Sequence, residues 1–272
     1  MQITAGDVAV VTGAGSGIGR ALARALAERG ARLALSDISA SVDETVAQCT
    51  ALGAEARGYR LDVADRDAVF AHADQVMADF GQVNLVVNNA GVSVNASVGE
   101  LSEKDMQWLM GINFWGVVAG TQAFLPHLEA SGKGHLVNIS SIFGIIAVPT
   151  QAIYNASKYA VRGFSEALRE ELLLAGSPVG VSVVHPGGVK TGIVAHSRGT
   201  ASKDQSREEF VAAFDKIAVT KPAGAARTIL RGVERDKARI FVGPDAHALQ
   251  LLQHLPARVS QRLIARGFGR SM

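Results

Sequence analysis

TGAGSGIG, residues 12–19, joins the apolar run DVAVVT (7–12) to the helical pattern GIGRALARALAERG (17–30). Glycines at such a strand–helix junction let the backbone turn tightly and approach a pyrophosphate, whose charge the helix N-terminus stabilises. The spacing is not the common G-x-G-x-x-G, because Ile18 occupies one glycine place. Gly13, Gly17 and Gly19 give G-x-x-x-G-x-G instead, with Ser16 inside the loop. Taken alone, the cluster also fits a tight strand–helix turn with no ligand.

Outward from this junction the same unit repeats. RLALSD (32–37), ARGYRLD (56–62), VNLVVN (83–88), HLVNIS (135–140), GVSVVH (180–185) and RIFVG (239–243) are short apolar runs separated by helical spacing. Ile18, Leu22, Ala25 and Leu26 mark one such helix, and Gly30 is its expected C-cap. Repeated alternation predicts an α/β fold, a doubly wound parallel sheet of about seven strands with helices on both faces. No linker or repeat divides the chain. Residues 1–245 are read as one dinucleotide-binding domain and 246–272 as a C-terminal helical extension. Residues 191–221 are long and poorly periodic, the pattern of a substrate lid.

Asp37 closes the second strand candidate, 20 residues after Gly17. A carboxylate there accepts hydrogen bonds from adenosine ribose hydroxyls and repels a 2′-phosphate. The next residue, Ile38, offers such a phosphate nothing, so NAD is favoured over NADP. Capping the following helix is the other use for Asp37, and Ser39 or Ser41 serves that purpose equally.

YNASK (154–158) places a phenol and an ammonium four residues apart, on one face of a helix. A free phenol, with a pKa of about 10, is a poor base at neutral pH. A neighbouring ammonium lowers that value, so Lys158 is expected to tune Tyr154 into an acid/base suited to an alcohol or a carbonyl. Tyr–Lys pairs at this spacing also occur on ordinary solvated helix faces, so the pair decides nothing alone.

It is accompanied by VNISSIFG (137–144), NNAG (88–91) and Asn113 in a helical pattern. In this order and spacing, TGAGSGIG, NNAG, ISS and YNASK resemble the classical short-chain dehydrogenases/reductases, over about residues 5–190 and more weakly to 243. The resemblance implies a Rossmann fold and hydride transfer at nicotinamide. It makes Tyr154 the proton donor/acceptor, Ser141 rather than Ser140 the residue orienting the substrate oxygen, and Lys158 also a ligand of the nicotinamide ribose. Asn113 would hold a water linking Lys158 to bulk solvent. Asp62 and Val63 match the adenine pocket, Asn89, Ala90 and Gly91 line the cofactor, and HPGGVKTG (185–192) puts Pro186, Gly187, Val189 and Thr191 beside the nicotinamide. Ser93, Gln151, Phe143 and Tyr154 face the substrate with Ser141. Val94, Ile145 and Gly187 are further candidates there. With Phe143 and Ile145 this predicts an apolar pocket.

The expected activity is NAD(P)-dependent interconversion of a hydrophobic secondary alcohol and its ketone, steroid-like substrates included. The alternative is a catalytically silent dinucleotide-binding regulator, which would not need Ser141, Tyr154 and Lys158. The formal net charge of +2 argues against a nucleic-acid partner, and the seven histidines show no metal-ligand spacing. One cysteine, Cys49, no basic n-region and no membrane-length apolar run lead to the expectation of a cytoplasmic protein.

The chain ends VGPDAHALQLLQHLPARVSQRLIARGFGRSM, unlike the glycine-rich tail that completes a tetramer in many family members. A homodimer or homotetramer is still expected, through helices at about 104–130 and 152–176. Arg258, Arg262, Arg266 and Arg270 recur every four residues beside Leu255, Val259, Leu263 and Ile264. We expect this helix, with Pro256 in its first turn, to contact its own or a neighbouring subunit and help enclose the substrate, rather than lie on a membrane.

Overall fold

All seven strand candidates are strands in the computed structural model, which describes residues 1–199, 208, 211–212 and 218–269. Residues 200–207, 209–210 and 213–217 of the expected lid, and Arg270, lie outside the described residues. The strands are β1 (Val8–Thr12), β2 (Arg32–Asp37), β3 (Ala56–Arg60), β4 (Leu85–Asn88), β5 (His135–Ile139), β6 (Gly180–Pro186) and β7 (Arg239–Val242). They form one parallel sheet in the order β3-β2-β1-β4-β5-β6-β7.

Every residue of β1 is buried because both sheet faces are covered. Ala9 and Val11 point to one face, where α1 (Gly17–Ala27) and α7 (Pro222–Glu234) supply Leu22, Leu26, Ile229 and Val233. Val8 and Val10 point to the other, packed by α3 (Arg66–Phe80), α5 (Gly116–Ala130) and α6 (Ala152–Leu174) through Val76, Phe124 and Leu168. Between β2 and β3 runs α2 (Ser41–Ala51).

Two boundaries differ from expectation. Helix α1 ends at Ala27, and Gly30 takes its left-handed turn (φ 77°) beyond the cap. The helix expected over 104–130 is interrupted. It runs as α4 (Glu103–Met110), a π-helical turn at Gly111–Trp115, then α5. Such turns widen the helix and re-aim side chains at functional sites, and this one carries Asn113. The C-terminal extension is helical, as α8 (Pro244–Leu249), a 3₁₀ turn (Gln250–His254) and α9 (Ala257–Gly269). Among the described residues no helix is long and apolar enough to cross a membrane.

Candidate active site

Strands β1 and β4 are neighbours, but the helix after β1 packs on one face of the sheet and the helices after β4 on the other. The crevice between their carboxyl ends is the switch point at which such sheets bind ligands. The glycine loop forms one lip. Gly13 has φ 64°, and a Cβ there would stand 2.8 Å from Ala90 Cα. A Cβ on Gly19 would collide with Gly13 O. Asn89 ties the lips together, donating from Nδ2 to Thr12 O (2.9 Å) and Gly13 O (3.2 Å), while the Asn89 and Ala90 N–H groups donate to Thr12 Oγ1. The Asn89 side chain is thus committed to the loop.

The loop suits an anion. Ser16, the N-cap of α1, makes no side-chain cap, and the first helical bond runs from Arg20 N–H to Ser16 O. The N–H groups of Gly17, Ile18 and Gly19 are therefore left without an acceptor among the described residues. Across from them, the Thr191 methyl would lie 3.1 Å from a Cβ on Gly17. A cleft of about 740 Å³ opens between these residues and runs along α1 towards Arg24 and Arg227. Asp37 accepts from Gly15 N–H on Oδ2 (2.9 Å) and from Ser39 N–H on Oδ1 (2.8 Å). Each oxygen keeps a lone pair for a ribose hydroxyl. Asp62 is exposed after β3 and accepts from Ala64 N–H, and the carbonyl of Val63 lies close against Gly116. These groups fit a dinucleotide.

Deeper in the crevice, α6 brings Tyr154 and Lys158 to the end of β5. Ser141 caps a 3₁₀ turn (Ile142–Gly144), accepting from Phe143 N–H on Oγ (3.1 Å), and its side chain neighbours the Tyr154 phenol. Ser140 instead donates to Lys158 O (2.8 Å), a purely structural contact. Lys158 is buried, donates from Nζ to Ile139 O (3.0 Å) and stands 5.6 Å from the centre of the Tyr154 ring. Gly91 separates it from Asn113, since a Cβ there would lie 3.3 Å from Asn113 Oδ1 and 3.6 Å from Lys158 Nζ.

One sequence expectation changes here. Burial pushes the Tyr154 phenol up to about 12, against a smaller downward pull from the neighbouring Ser141 side chain, and pushes the Lys158 ammonium down to about 8. The expected lowering of the phenol by Lys158 is reversed, because the ammonium is turned to Ile139 O and desolvation prevails. Asn113 is fully buried and doubly bonded to Val92, accepting from its N–H (2.8 Å) and donating to its C=O (2.9 Å), with Ser157 Oγ at 3.2 Å. Its side chain anchors the NNAG segment at Val92.

The substrate side is mixed. The Phe143 ring meets Tyr154 edge-on at 6.3 Å. Ser93 Oγ donates to Gln151 Oε1 (3.2 Å), and Gln151 Nε2 donates to Asn95 Oδ1 (3.3 Å), all three residues being buried. Gln151 follows Thr150, whose φ of 62° is strained for a β-branched residue. Ser93 O accepts from Arg198 N–H (3.0 Å), which fastens the start of the expected lid to this wall. Arg198 also lies over the Trp108 ring at 3.6 Å and pairs with Asp105 (3.2 Å).

Two positions escaped the sequence reading. His185 is buried, held neutral by desolvation that pushes it down to about 4, and its Nδ1–H donates to Ser141 O (2.9 Å). Its place in HPGG was visible, but nothing marked it as a support for the serine. Asp245 accepts from Gly188 N–H, a contact made across 57 residues and without any motif.

Residues 7–202 match the short chain dehydrogenase family. The chain belongs to the short-chain dehydrogenases/reductases. As a member of that family it is an oxidoreductase with the family's dinucleotide-binding fold. It is 51% identical over 264 residues to SadH, a protein of Mycobacterium tuberculosis named as an oxidoreductase, covering 96% of this chain and 95% of SadH. A short-chain dehydrogenase/reductase from Burkholderia phymatum, solved in complex with NAD, superposes with a TM-score of 0.84 at 35% identity, covering 93% of this chain and 95% of that one. An alcohol dehydrogenase from the archaeon Thermococcus sibiricus, complexed with 5-hydroxy-NADP, superposes with a TM-score of 0.73 at 28% identity, covering 86% and 94%. Similar structures of this family therefore hold NAD in one case and an NADP derivative in the other.

Proposed function

We propose that this short-chain dehydrogenase/reductase interconverts an apolar secondary alcohol and its ketone with NAD, steroid-like substrates being within its range. The observation that carries the reading is the meeting of Ser141, Tyr154 and buried Lys158 at the inner end of a crevice suited to a dinucleotide. Gly13, Ser16, Gly17, Ile18 and Gly19 would hold the pyrophosphate, Asp37 the ribose hydroxyls, and Asp62 and Val63 the adenine. Asn89 braces the loop, Ala90 and Gly91 line the crevice, and Pro186, Gly187, Val189 and Thr191 wall its nicotinamide end. The nicotinamide, when bound, supplies the hydride acceptor or donor.

The chain's own residues manage the oxygen and its proton. Ser141 holds the substrate oxygen. Tyr154, a neutral phenol at physiological pH, donates its proton as that oxygen gains charge during ketone reduction. Oxidation needs the phenolate, so its rate gains as pH rises. Lys158 carries its charge below about pH 8 and loses it above. Asn113 keeps Val92 and Ser157 in register around the lysine. Phe143 and the Ser93–Gln151 pair shape the rest of the pocket. We further propose residues 1–245 as the catalytic domain, a small-molecule substrate as the partner, a homodimer or homotetramer as the assembly and the cytoplasm as the location.

The test is a panel of secondary alcohols and ketones with NAD and NADP, followed through the reduced nicotinamide. Turnover of apolar alcohols with NAD, faster at pH 9 than at pH 7, is expected. Tight NAD binding with no turnover across the panel would establish the silent regulator instead, and a preference for NADP would overturn the reading of Asp37.

A further inference from the structure

Residues 185–191 form the wall of the crevice opposite the glycine loop, and their main-chain supports come from later in the chain. Gly187 N–H donates to Val242 O (2.9 Å), Lys190 N–H to Thr220 O (2.9 Å), and Thr220 N–H to Gly188 O (3.2 Å). The N–H of Gly188 donates to the Asp245 carboxylate. The carboxylate occupies the space a side chain would need. A Cβ on Gly187 would collide with it, and one on Gly243, where φ is 97°, would lie 2.5 Å from Asp245 Oδ1 and 2.6 Å from Thr220 Oγ1. Both glycines are thus required by the same side chain. Asp245 Oδ1 is buried with no hydrogen-bond partner among the described residues. Retaining such an atom is costly, so the position is held by what Oδ2 does.

The segment that Asp245 supports connects both halves of the site. Its first residue, His185, supports Ser141, and its last, Thr191, packs against Gly17.

We propose that Asp245 is a positioning residue for the nicotinamide end of the cofactor site, acting through the Gly187–Gly188 turn. This rests on the dinucleotide reading above. The adenine end, at Asp37 and the outer strands, is out of its reach.

ADP-ribose lacks only the nicotinamide, so it separates the two ends. NADH and ADP-ribose affinities would be measured calorimetrically for wild type, Asp245→Ala and Asp245→Asn, with thermal melts to confirm folding. For Asp245→Ala we expect NADH to weaken about tenfold or more, the scale of a lost charge-assisted hydrogen bond, with ADP-ribose held within about twofold by the untouched adenine-end contacts. Asp245→Asn keeps an acceptor oxygen and is expected to restore most of the NADH affinity. Equal losses for both ligands, or none for either, would overturn the proposal. If Asp245→Ala does not fold, Asp245→Ser carries the same comparison. Wild-type protein that binds neither ligand would overturn the dinucleotide reading itself, and this proposal with it.

Discussion

The two walls of the crevice are built on opposite principles. The N-terminal wall, residues 12–19 against 88–91, is made by leaving side chains out. Gly13 and Gly19 are there because a Cβ would strike Ala90 or Gly13 itself. The C-terminal wall, residues 185–191, is made by putting a side chain in, with the Asp245 carboxylate filling the gap that Gly187 and Gly243 leave. A glycine where a chain must turn is a demand that any reader of the sequence can see. A carboxylate that fills a space between distant segments is not, and among 25 acidic residues nothing singles out Asp245. The first wall was therefore legible together with its cause, whereas in the second only the HPGG segment was, and not the carboxylate that supports it.

The deepest part of the site tests the comparison most severely, because it belongs to both walls. Tyr154→Phe removes one oxygen and leaves the glycine loop, Lys158 and the 185–191 wall in place. Turnover should fall by at least about a thousandfold, within the range assigned to general acid–base catalysis plus the lost hold on the substrate oxygen, while NADH binding by fluorescence persists. A variant that retains a near-normal rate would remove Tyr154 from the mechanism and leave the two walls as a binding site only.

Asp37 tests the N-terminal wall alone. It braces Gly15 and Ser39 through one oxygen each and keeps lone pairs for a ligand. Asp37→Ala should weaken NAD roughly ten- to hundredfold, the worth of a hydrogen bond to a charged group, and reduce discrimination against NADP. Competition kinetics with the two cofactors would show it. An unchanged NAD affinity would mean that the carboxylate only shapes the loop.

Much of the fold could be read because parallel strands buried on both faces are continuous apolar runs, so that RLALSD matched β2 residue for residue. What could not be read follows from tertiary contact. The π-turn at Gly111–Trp115 has no sequence signature, yet it turns Asn113 towards Val92. The raised phenol of Tyr154 reflects burial, whereas spacing shows only that an ammonium is near. Nor does an apolar stripe on a helix reveal which of its members will be covered.

The last point can be tested on the extension, where the expected effect is smallest. Ile264 of α9 packs with Leu249 and Leu252 on the cluster of Ile142, Ile145, Ile146 and Val148, which Phe143 also joins. Leu255, Val259 and Leu263 of the same stripe are exposed instead, at 39–47% of their surface. The stripe is therefore split. Only Ile264 reaches the loop that carries Ser141, as our expectation that the tail helps to enclose the substrate requires. Ile264→Asp should raise KM for an apolar alcohol severalfold and leave NADH affinity unchanged. A half-buried isoleucine is worth about 1 kcal/mol, so the melting temperature should fall by roughly 2–4 °C. Val259→Asp is the control, expected to change neither kinetics nor mass by light scattering. A lower mass for that variant would show that a second copy covers the exposed side. Equal kinetic effects from the two substitutions would break the assignment of Ile264 to the active-site loop, because the exposed residue has no route to Ser141 within the subunit.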